Sequence, residues 1–234
     1  MYKGMTFLAV IPARGGSKGV PDKNIIKVGG KPLIQYTLDA AMRSHYLDRI
    51  FVSTDSVIIA ETVKQLGIEV PFLRPNDLAG DTSKTIDTII HVIDRLRQMG
   101  ETYDYVVTLQ PTQPLRRTKH IDEAIEKIVD LDEKALVSVS RVREHPILMR
   151  TIKPDGTLQR LLEINSTVRR QDFQTVYKVN GAIYINKIDD ELTCDTSLND
   201  NPIPYIMDLK YDLDIDTWDD LNRFEECVKN LDFY

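Results

Sequence analysis

Residues Phe7–Asn24 read FLAVIPARGGSKGVPDKN, a sequence that predicts a buried strand followed by an anion-binding loop. The apolar run Phe7–Ile11 has the length and composition of a buried strand, and it ends at Pro12. The loop after it contains glycines and three cationic side chains, Arg14, Lys18 and Lys23. Glycines let backbone N–H groups approach an anion closely, and fixed cations neutralise it. We therefore expect a polyphosphate site at the end of the first strand.

Two common phosphate-binding motifs are excluded by spacing. A Walker A loop ends in Gly-Lys-Ser/Thr, whereas Gly30-Lys31 is followed by Pro32. The glycines of residues 15–19 have the wrong register for a dinucleotide fingerprint. An ordinary glycine turn with solvated lysines is the alternative. Cations exceed acids in residues 14–31, although the whole chain carries a net charge of −6, and this local excess favours an anion site.

Composition narrows the class of protein. A chain of 234 residues with 42% apolar residues predicts one globular α/β domain with a small appendage. Two cysteines are too few for a disulfide framework. The net negative charge argues against a nucleic-acid partner, and no apolar run approaches the length of a membrane span. The N-terminus lacks a signal-peptide pattern, so we expect a cytoplasmic protein.

Strand and helix patterns alternate along the chain. Further strands are predicted at Arg49–Thr54, Ile68–Leu73, Tyr105–Leu109 and Ala135–Ser140, and a helix capped by Asp81 or Ser83 is predicted to end at Gly100. This alternation predicts a three-layer, Rossmann-like α/β/α fold with a mostly parallel sheet. Ligands of such folds bind at the carboxyl ends of the strands. The polar residues expected there are Arg14, Asp55, Arg74 and Gln110.

Residues 142–178 interrupt the alternation. An Asp155-Gly156 turn between short apolar stretches predicts an inserted β-hairpin arm. We interpret residues 1–141 plus 179–234 as the main domain and residues 142–178 as an arm that docks on a second subunit. A simple surface excursion is the alternative.

Asp214-Ile215-Asp216 is the second chemical signal. Residues i and i+2 of an extended segment point to one face, so both carboxylates can meet one ligand. Such a pair suits Mg²⁺, which often binds one or two carboxylates together with substrate phosphates. The alternative is helix capping, because Asp216-Thr217 precedes a predicted helix. A basic phosphate loop in the same chain favours the metal site, and together they predict nucleotidyl or phosphoryl transfer.

Six strings of the sequence resemble the acylneuraminate cytidylyltransferases: LAVIPARGGSKGVPDKN, RIFVSTD, FLRPNDLAGDTS, LQPTQPLR, VNGAIYIN and LDIDT. The resemblance spans residues 7–224 and implies a nucleotidyltransferase fold. It also implies transfer of CMP from CTP to a nine-carbon 2-keto acid sugar, with release of pyrophosphate. Mg²⁺ as cofactor and a homodimer are implied as well.

The resemblance also implies roles for individual residues. Arg14 and Lys23 would hold the triphosphate, and Asp214 and Asp216 would bind Mg²⁺; these are the expected catalytic residues. Nucleotide contacts are expected at Ala13, Arg14, Gly15, Lys23, Asn24, Arg74, Ser83, Thr85 and Gln110. Sugar contacts are expected at Gln110, Arg170, Lys178 and Asn180, with Arg170 reaching the site of the partner subunit.

Two departures from the family pattern lie in the sugar-contacting half. Lys178 stands where an arginine is common, and it lacks the bidentate fork of a guanidinium. Leu148 stands where a partner-contributed lysine occurs in some sialate enzymes. Legionaminic and pseudaminic acids are therefore substrate candidates beside N-acylneuraminate. A Kdo cytidylyltransferase, a sugar-1-phosphate nucleotidyltransferase and a nucleotide-sensing scaffold are the competing interpretations.

Overall fold

The computed structural model describes residues 1–164, 167 and 169–230, and of Arg170 only the backbone. The strands in these ranges are β1 (Phe7–Pro12), β2 (Lys27–Val28), β3 (Lys31–Pro32), β4 (Arg49–Ser53), β5 (Tyr105–Thr108), β6 (Ala135–Arg141), β7 (Arg150–Ile152), β8 (Leu158–Arg160), β9 (Tyr177–Lys187) and β10 (Ile203–Met207). The α-helices are α1 (Leu33–Met42), α2 (Val57–Gln65), α3 (Thr85–Gln98), α4 (Thr118–Asp130) and α5 (Trp218–Asn230). Short 3₁₀ helices occur at Asn76–Leu78, Pro146–Leu148, Arg170–Asp172, Leu198–Asp200 and Leu209–Tyr211.

A six-stranded sheet in the order β10-β6-β9-β5-β1-β4 forms the centre of the molecule. β1 runs parallel to β4 and β5, and β10 runs parallel to β6, whereas β9 is antiparallel to both of its neighbours. Helices cover both faces: Ile34, Val63 and Ile125 of α1, α2 and α4 pack on one side, and Ile89 of α3 packs on the other. The predicted three-layer, mostly parallel α/β fold is confirmed.

The strand predicted at Ile68–Leu73 is wrong, because these residues form no sheet pairing. The alternating apolar pattern is real but serves packing alone: Ile68 is buried and Phe72 stacks on Phe51 with ring centroids 4.6 Å apart. Pro71 has no N–H to give to a ladder, which disfavours a strand inside a sheet. The segment is therefore a loop. Just after it, the Arg74 N–H donates to the Thr54 carbonyl, which follows β4, at 2.8 Å.

The predicted cap of α3 is also wrong. The helix begins at Thr85 after an extended Lys84, and no side chain bonds to its first turn. Ser83 Oγ instead donates to the Asp77 carbonyl at 2.9 Å, and Asp81 turns towards the phosphate loop. Both side chains therefore form other contacts and do not cap α3.

An irregularity in β9 shapes the site. Between two regular pairings with β6, residues 180–183 of β9 lie opposite Ser138 alone. The Asn180 side chain fills the gap in the ladder, because its Oδ1 accepts from Ser138 Oγ at 2.6 Å and from the Ala182 N–H at 3.1 Å. Gly181 takes a φ of +75°, which a residue without Cβ adopts at little cost. The bulge brings Gly181 next to Gln110, which follows the carboxyl end of β5.

The segment between β6 and β9 contains the predicted hairpin. β7 and β8 pair antiparallel, with Arg150 opposite Arg160, and they form a small sheet separate from the central one. The division into a main domain and a dimerisation arm at residues 142–178 stays a prediction. Among the helices in the described ranges, none combines the length and apolarity needed to span a bilayer.

Candidate active site

Residues 13–24, the predicted phosphate loop, are held in place by two side-chain hydrogen bonds. Asp55, just after β4, accepts the Gly15 N–H at 2.9 Å. The buried Asn24 closes the loop, since its Nδ2 donates to the Arg14 carbonyl at 2.9 Å. The loop therefore keeps a fixed backbone course, and Asp55 and Asn24 act as its supports.

The cations of the loop meet an acidic residue across the cleft. Asp81 accepts from Arg14 Nη1 at 3.1 Å and from Lys18 Nζ at 2.6 Å. Hydrogen bonds from Lys18 and then Arg14 hold the pKa of the Asp81 carboxyl below its ordinary value. Arg14 Nη1 also donates to the Gly80 carbonyl at 3.2 Å. In this cluster two positive charges share one carboxylate. A triphosphate could replace that carboxylate as the partner of both cations.

Lys23 connects the phosphate loop to the acidic segment. Its ammonium donates to the Ile215 carbonyl at 2.7 Å and to Asp216 Oδ1 at 2.9 Å. The side chain of Lys23 is only 13% exposed, so the ion pair is sheltered on the lysine side. The two chemical signals of the sequence thus lie in direct contact, as expected for one site.

The acidic pair presents both carboxylates to the same cleft. Ile215, between them, is fully buried in a separate apolar cluster, and its N–H donates to the Thr112 carbonyl at 2.9 Å. Asp214 and Asp216 therefore face the other way, as the i, i+2 spacing predicts. Asp214 opens onto the cleft, yet the surrounding protein removes hydration and raises the pKa of its carboxyl, with the charge of Asp216 adding to the rise.

These residues fit a magnesium ion shared with a nucleotide. Two hard carboxylates face one cleft, and within the described residues there is no group of three or more His, Cys, Asp or Glu side chains that could hold a metal unaided. Mg²⁺ typically completes such partial sites with water and substrate phosphates. The donor set therefore suits a metal that arrives with a polyphosphate.

The cleft around this pair has a volume of about 520 Å³, within the roughly 300–1,000 Å³ common for small-molecule sites. Its wall contains these predicted residues: Arg14, Lys23, Asn24, Arg74, Ser83, Thr85, Gln110, Asp214 and Asp216. Arg74 is held against the end of β4 by a hydrogen bond from Nε to Ser53 Oγ at 3.1 Å. Burial lowers the pKa of its guanidinium to about 10, so Arg74 keeps its charge at neutral pH.

A second cavity adjoins the first, and Gln110 and Asp214 line both. The predicted sugar contacts Lys178 and Asn180 lie in its wall. Lys178 Nζ forms an ion pair with Asp212 at 3.1 Å, and its charge contributes to the environment of Asp214. The cleft with the loop cations and the second, polar cavity therefore meet at Asp214.

Two predicted site residues, Ala13 and Gly15, have a different placement. Ala13 is fully buried, and its N–H donates to the Ser53 carbonyl at 2.9 Å. Gly15 lies at the back of the loop, where its N–H is taken by Asp55. Neither lines the cleft, because both anchor the loop to β4 and the turn after it. The Arg170 side chain lies outside the described part of the chain.

Sequence reasoning missed three residues of the site. Thr112 forms a hydrogen bond with Asp214, Asp81 pairs with two loop cations, and Gln113 lines the second cavity. Thr112 and Gln113 lie in the loop after β5, so the rule that placed Gln110 at a strand end could have included them. The contacts of Asp81 depend on a loop that crosses the sheet end, and no local pattern indicates them.

Gly181 determines the position of Gln110, and Gly181→Ala tests this. A Cβ at Gly181 would lie 2.8 Å from Gln110 Oε1, so the amide must move. We expect a several-fold rise in KM for the substrate that contacts Gln110 and a stability loss of about 1–2 kcal/mol from the left-handed φ. Gly156→Ala is the matched control, because Gly156 has a φ of +81° with nothing within 4 Å.

Urea unfolding and steady-state kinetics measure the two effects separately. Both variants should lose similar stability, whereas only Gly181→Ala should alter KM. Equal KM values in the two variants would contradict the role of Gly181.

The fold and the sequence have counterparts among known proteins. A cytidylyltransferase family model matches residues 8–209. A CMP:2-keto-3-deoxy-manno-octonic acid synthetase complexed with CTP superimposes with a TM-score of 0.73 at 17% identity, covering 96% of this chain and 98% of the other. At that identity the likeness concerns the fold alone.

Sequence relatives are more similar. The CMP-N,N'-diacetyllegionaminic acid synthase of Legionella pneumophila is 42% identical over 77% of this chain and 78% of its own. The N-acylneuraminate cytidylyltransferase of Streptococcus agalactiae serotype V is 38% identical over 91% of this chain, which spans about half (51%) of that protein. The pseudaminic acid cytidylyltransferase of Campylobacter jejuni is 31% identical over 93% of this chain and 94% of its own.

These matches confirm the predicted resemblance. The family match extends from β1 to the residues just after β10, and so includes the phosphate loop, Gln110 and the β9 bulge. The relatives carry the names of the three acid-sugar enzymes considered from the sequence. The chain that brings a basic loop and an acidic pair into one cleft belongs to the cytidylyltransferase family.

Proposed function

We propose that this protein transfers CMP from CTP to the anomeric hydroxyl of a nine-carbon 2-keto acid sugar and releases pyrophosphate. The observation that carries the proposal is the contact of Lys23 with Asp216, which joins the phosphate loop to the acidic pair in one cleft. The adjoining cavity with Lys178 supports an acidic acceptor. The names of the relatives support N-acylneuraminate, legionaminate and pseudaminate as the acceptor class.

The cationic half of the cleft would bind the triphosphate. Arg14 and Lys18 would exchange Asp81 for phosphate oxygens, and this exchange keeps each cation paired in both states. Lys23 would contribute a further charge from the acidic side. Fixed charges placed where negative charge develops are commonly the largest contribution to such catalysis. The loop would therefore stabilise the departing pyrophosphate.

The reaction itself is an in-line displacement at the α-phosphorus. A bond forms from the anomeric oxygen to phosphorus, the bond from that phosphorus to the oxygen bridging the β-phosphate breaks, and the hydroxyl proton leaves to water. Gln110 and Asp214 line both cavities, so they would position nucleotide and sugar for this contact. Mg²⁺ held by Asp214 and Asp216 would supply charge neutralisation for the phosphates when bound.

The second cavity would bind the acidic sugar. Lys178 offers one ammonium for the carboxylate, as a point charge without a bidentate fork. The Asn180 amide is largely used within the protein, since its Nδ2 donates to Ser140 Oγ at 2.8 Å and its Oδ1 accepts twice. Asn180 would therefore act mainly by shaping the β9 bulge, with one amide hydrogen left for the sugar.

Pyrophosphate release tests the proposal directly. The intact chain is assayed with each of the four nucleoside triphosphates and a panel of acid sugars that includes N-acetylneuraminate, legionaminate, pseudaminate and the eight-carbon Kdo. Release is expected only with CTP, a nine-carbon acid and Mg²⁺. Release with Kdo alone would favour the shorter acceptor, and no CTP-dependent release with any acid sugar would overturn the proposal.

A homodimer is the proposed assembly, with residues 142–178 at the interface. The hairpin carries exposed apolar side chains, among them Ile152 (74% exposed) and Leu158 (68% exposed). Isolated exposed apolar residues are common, but a cluster on one hairpin is typical of a contact surface. Ile152→Asp with Leu158→Asp should convert a dimer to a monomer in sedimentation equilibrium. A wild-type monomer, or a dimer unaffected by both changes, would contradict the proposal; the cytoplasmic location stays a prediction.

A further inference from the structure

Gln113 is a buried residue whose side-chain amide has no hydrogen-bond partner among the residues that the structure describes. The residue is 1% exposed, and neither Nε2 nor Oε1 has a partner within the described part of the chain. Its backbone is regular, because the N–H donates to the Gln110 carbonyl at 3.2 Å. Buried side-chain amides in proteins nearly always have partners, so an unpaired one calls for an explanation.

The surroundings of Gln113 indicate where its partner comes from. Gln113 lines the second cavity, next to the bulge of β9. Its Nε2 lies 3.8 Å from the position that a Cβ on Gly181 would take, close to the Gln110 amide. The side chain therefore lies at the wall that separates the proposed sugar site from the core.

Two other polar groups of this cavity already have partners within the protein. Tyr184 donates its hydroxyl to Asn199 Oδ1 at 3.1 Å, and Lys178 is paired with Asp212. Gln113 differs from them because neither of its amide atoms has a partner in the ranges that the structure describes. A ligand in the cavity could satisfy a donor and an acceptor there together.

We infer that Gln113 is a specificity-determining residue that binds a neutral polar substituent of the acceptor sugar, a hydroxyl or an acylamino group. This inference rests on the proposed function. A carboxamide offers one donor face and one acceptor face, and a hydroxyl or secondary amide complements both. A carboxylate offers acceptors only and would leave Oε1 unpaired, so the sugar carboxylate belongs with Lys178 instead.

The chemistry gives Gln113 a clear influence on selectivity. A site built to hydrogen-bond a substrate group rejects analogues that lack it, because its own buried polar atoms then stay unpaired. Acid sugars that differ in hydroxyl and acylamino groups would therefore be distinguished at Gln113. Lys178 would bind the feature that these sugars share.

Gln113→Met tests the inference with a side chain of similar length and no hydrogen-bonding amide. We expect KM for the sugar to rise about tenfold, the size of one lost hydrogen bond, with KM for CTP unchanged. The melting temperature should stay the same or rise, since an unpaired buried amide is removed. Gln98→Met is the matched control, because Gln98 is exposed at the far end of α3.

Deoxy and deacylated sugar analogues give the decisive comparison. In the wild-type enzyme, loss of the group that contacts Gln113 should raise KM. In Gln113→Met the same analogue should show no such penalty, an effect that a merely structural role would not produce. Gln113→Leu provides a second apolar variant if the first does not fold.

The outcomes separate this inference from the proposed function. If the wild-type protein turns over CTP and an acid sugar, and Gln113→Met retains its sugar KM and every analogue penalty, the inference alone is overturned. If the wild-type protein shows no CTP-dependent turnover, the proposed function falls and the inference falls with it.

Discussion

Asp214→Asn is expected to lower kcat/KM for CTP and the acid sugar by about 1,000-fold, the scale on which a preorganised charge contribution is lost. Asp214 lines both cavities, and with Asp216 it forms the proposed metal site. Asparagine keeps the shape and an acceptor for Thr112 but removes the charge. A magnesium titration of initial rates should show that saturating metal does not restore the wild-type rate.

The stability of Asp214→Asn distinguishes this effect from misfolding. Because desolvation raises the folded-state pKa of Asp214 above 3.8, the folded protein binds this proton more tightly than the unfolded chain. The contribution of Asp214 to the free energy of unfolding therefore declines as pH rises above 3.8 through the higher pKa of the folded state. At neutral pH the ionised carboxylate destabilises the folded protein. Asparagine should leave the melting temperature unchanged or higher.

A matched substitution separates the charge of the site from charge in general. Asp190 is an exposed carboxylate beyond the end of β9, at the edge of the sheet opposite the cleft. Asp190→Asn should keep wild-type kinetics and stability. Wild-type kcat/KM in Asp214→Asn at any magnesium concentration would remove Asp214 from the mechanism.

The sequence predicted those strands whose apolar runs form backbone ladders, such as β1 and β5. It failed at Ile68–Leu73, where the same alternation serves side-chain packing without a partner strand. A residue pattern reports which side chains are buried, and burial is common to strands and to loops that cover the core. Whether a neighbouring backbone pairs with the segment depends on distant parts of the chain, and a local pattern does not contain that information.

Much the same limit applies to the site. Arg14, Arg74 and Gln110 were predicted to converge because the carboxyl ends of parallel strands share one edge, and all three line the cleft. The pairing of Asp81 with Arg14 and the unpaired amide of Gln113 were not predicted. Each depends on how a loop crosses that edge, and long-range approaches of this kind leave no periodic signature in the sequence.

Gly19→Ala is expected to lower kcat/KM by about 100-fold, since displacing a positioned group by about 1 Å can have an effect of that size. A Cβ at Gly19 would lie 2.2 Å from the backbone carbonyl oxygen of Asp216, whereas ordinary contact begins at 3.4 Å. The phosphate loop or the acidic segment must therefore shift by about 1 Å, because neither contacting atom belongs to a flexible side chain. The shift would separate Lys23 from Asp216.

Gly16→Ala is the matched control, because Gly16 has nothing within 4 Å of an added Cβ and no left-handed φ. Both changes add one methyl group to the same loop, so only the approach to Asp216 differs. Gly16→Ala should keep most of the activity and the full stability. Gly19→Ala should lose about 1–3 kcal/mol in urea unfolding, as overpacked sites do. Equal kcat/KM values in the two variants would mean that the close contact between the phosphate loop and the acidic segment has no part in catalysis. The loop and the acidic segment would then contribute to activity without a fixed position relative to each other.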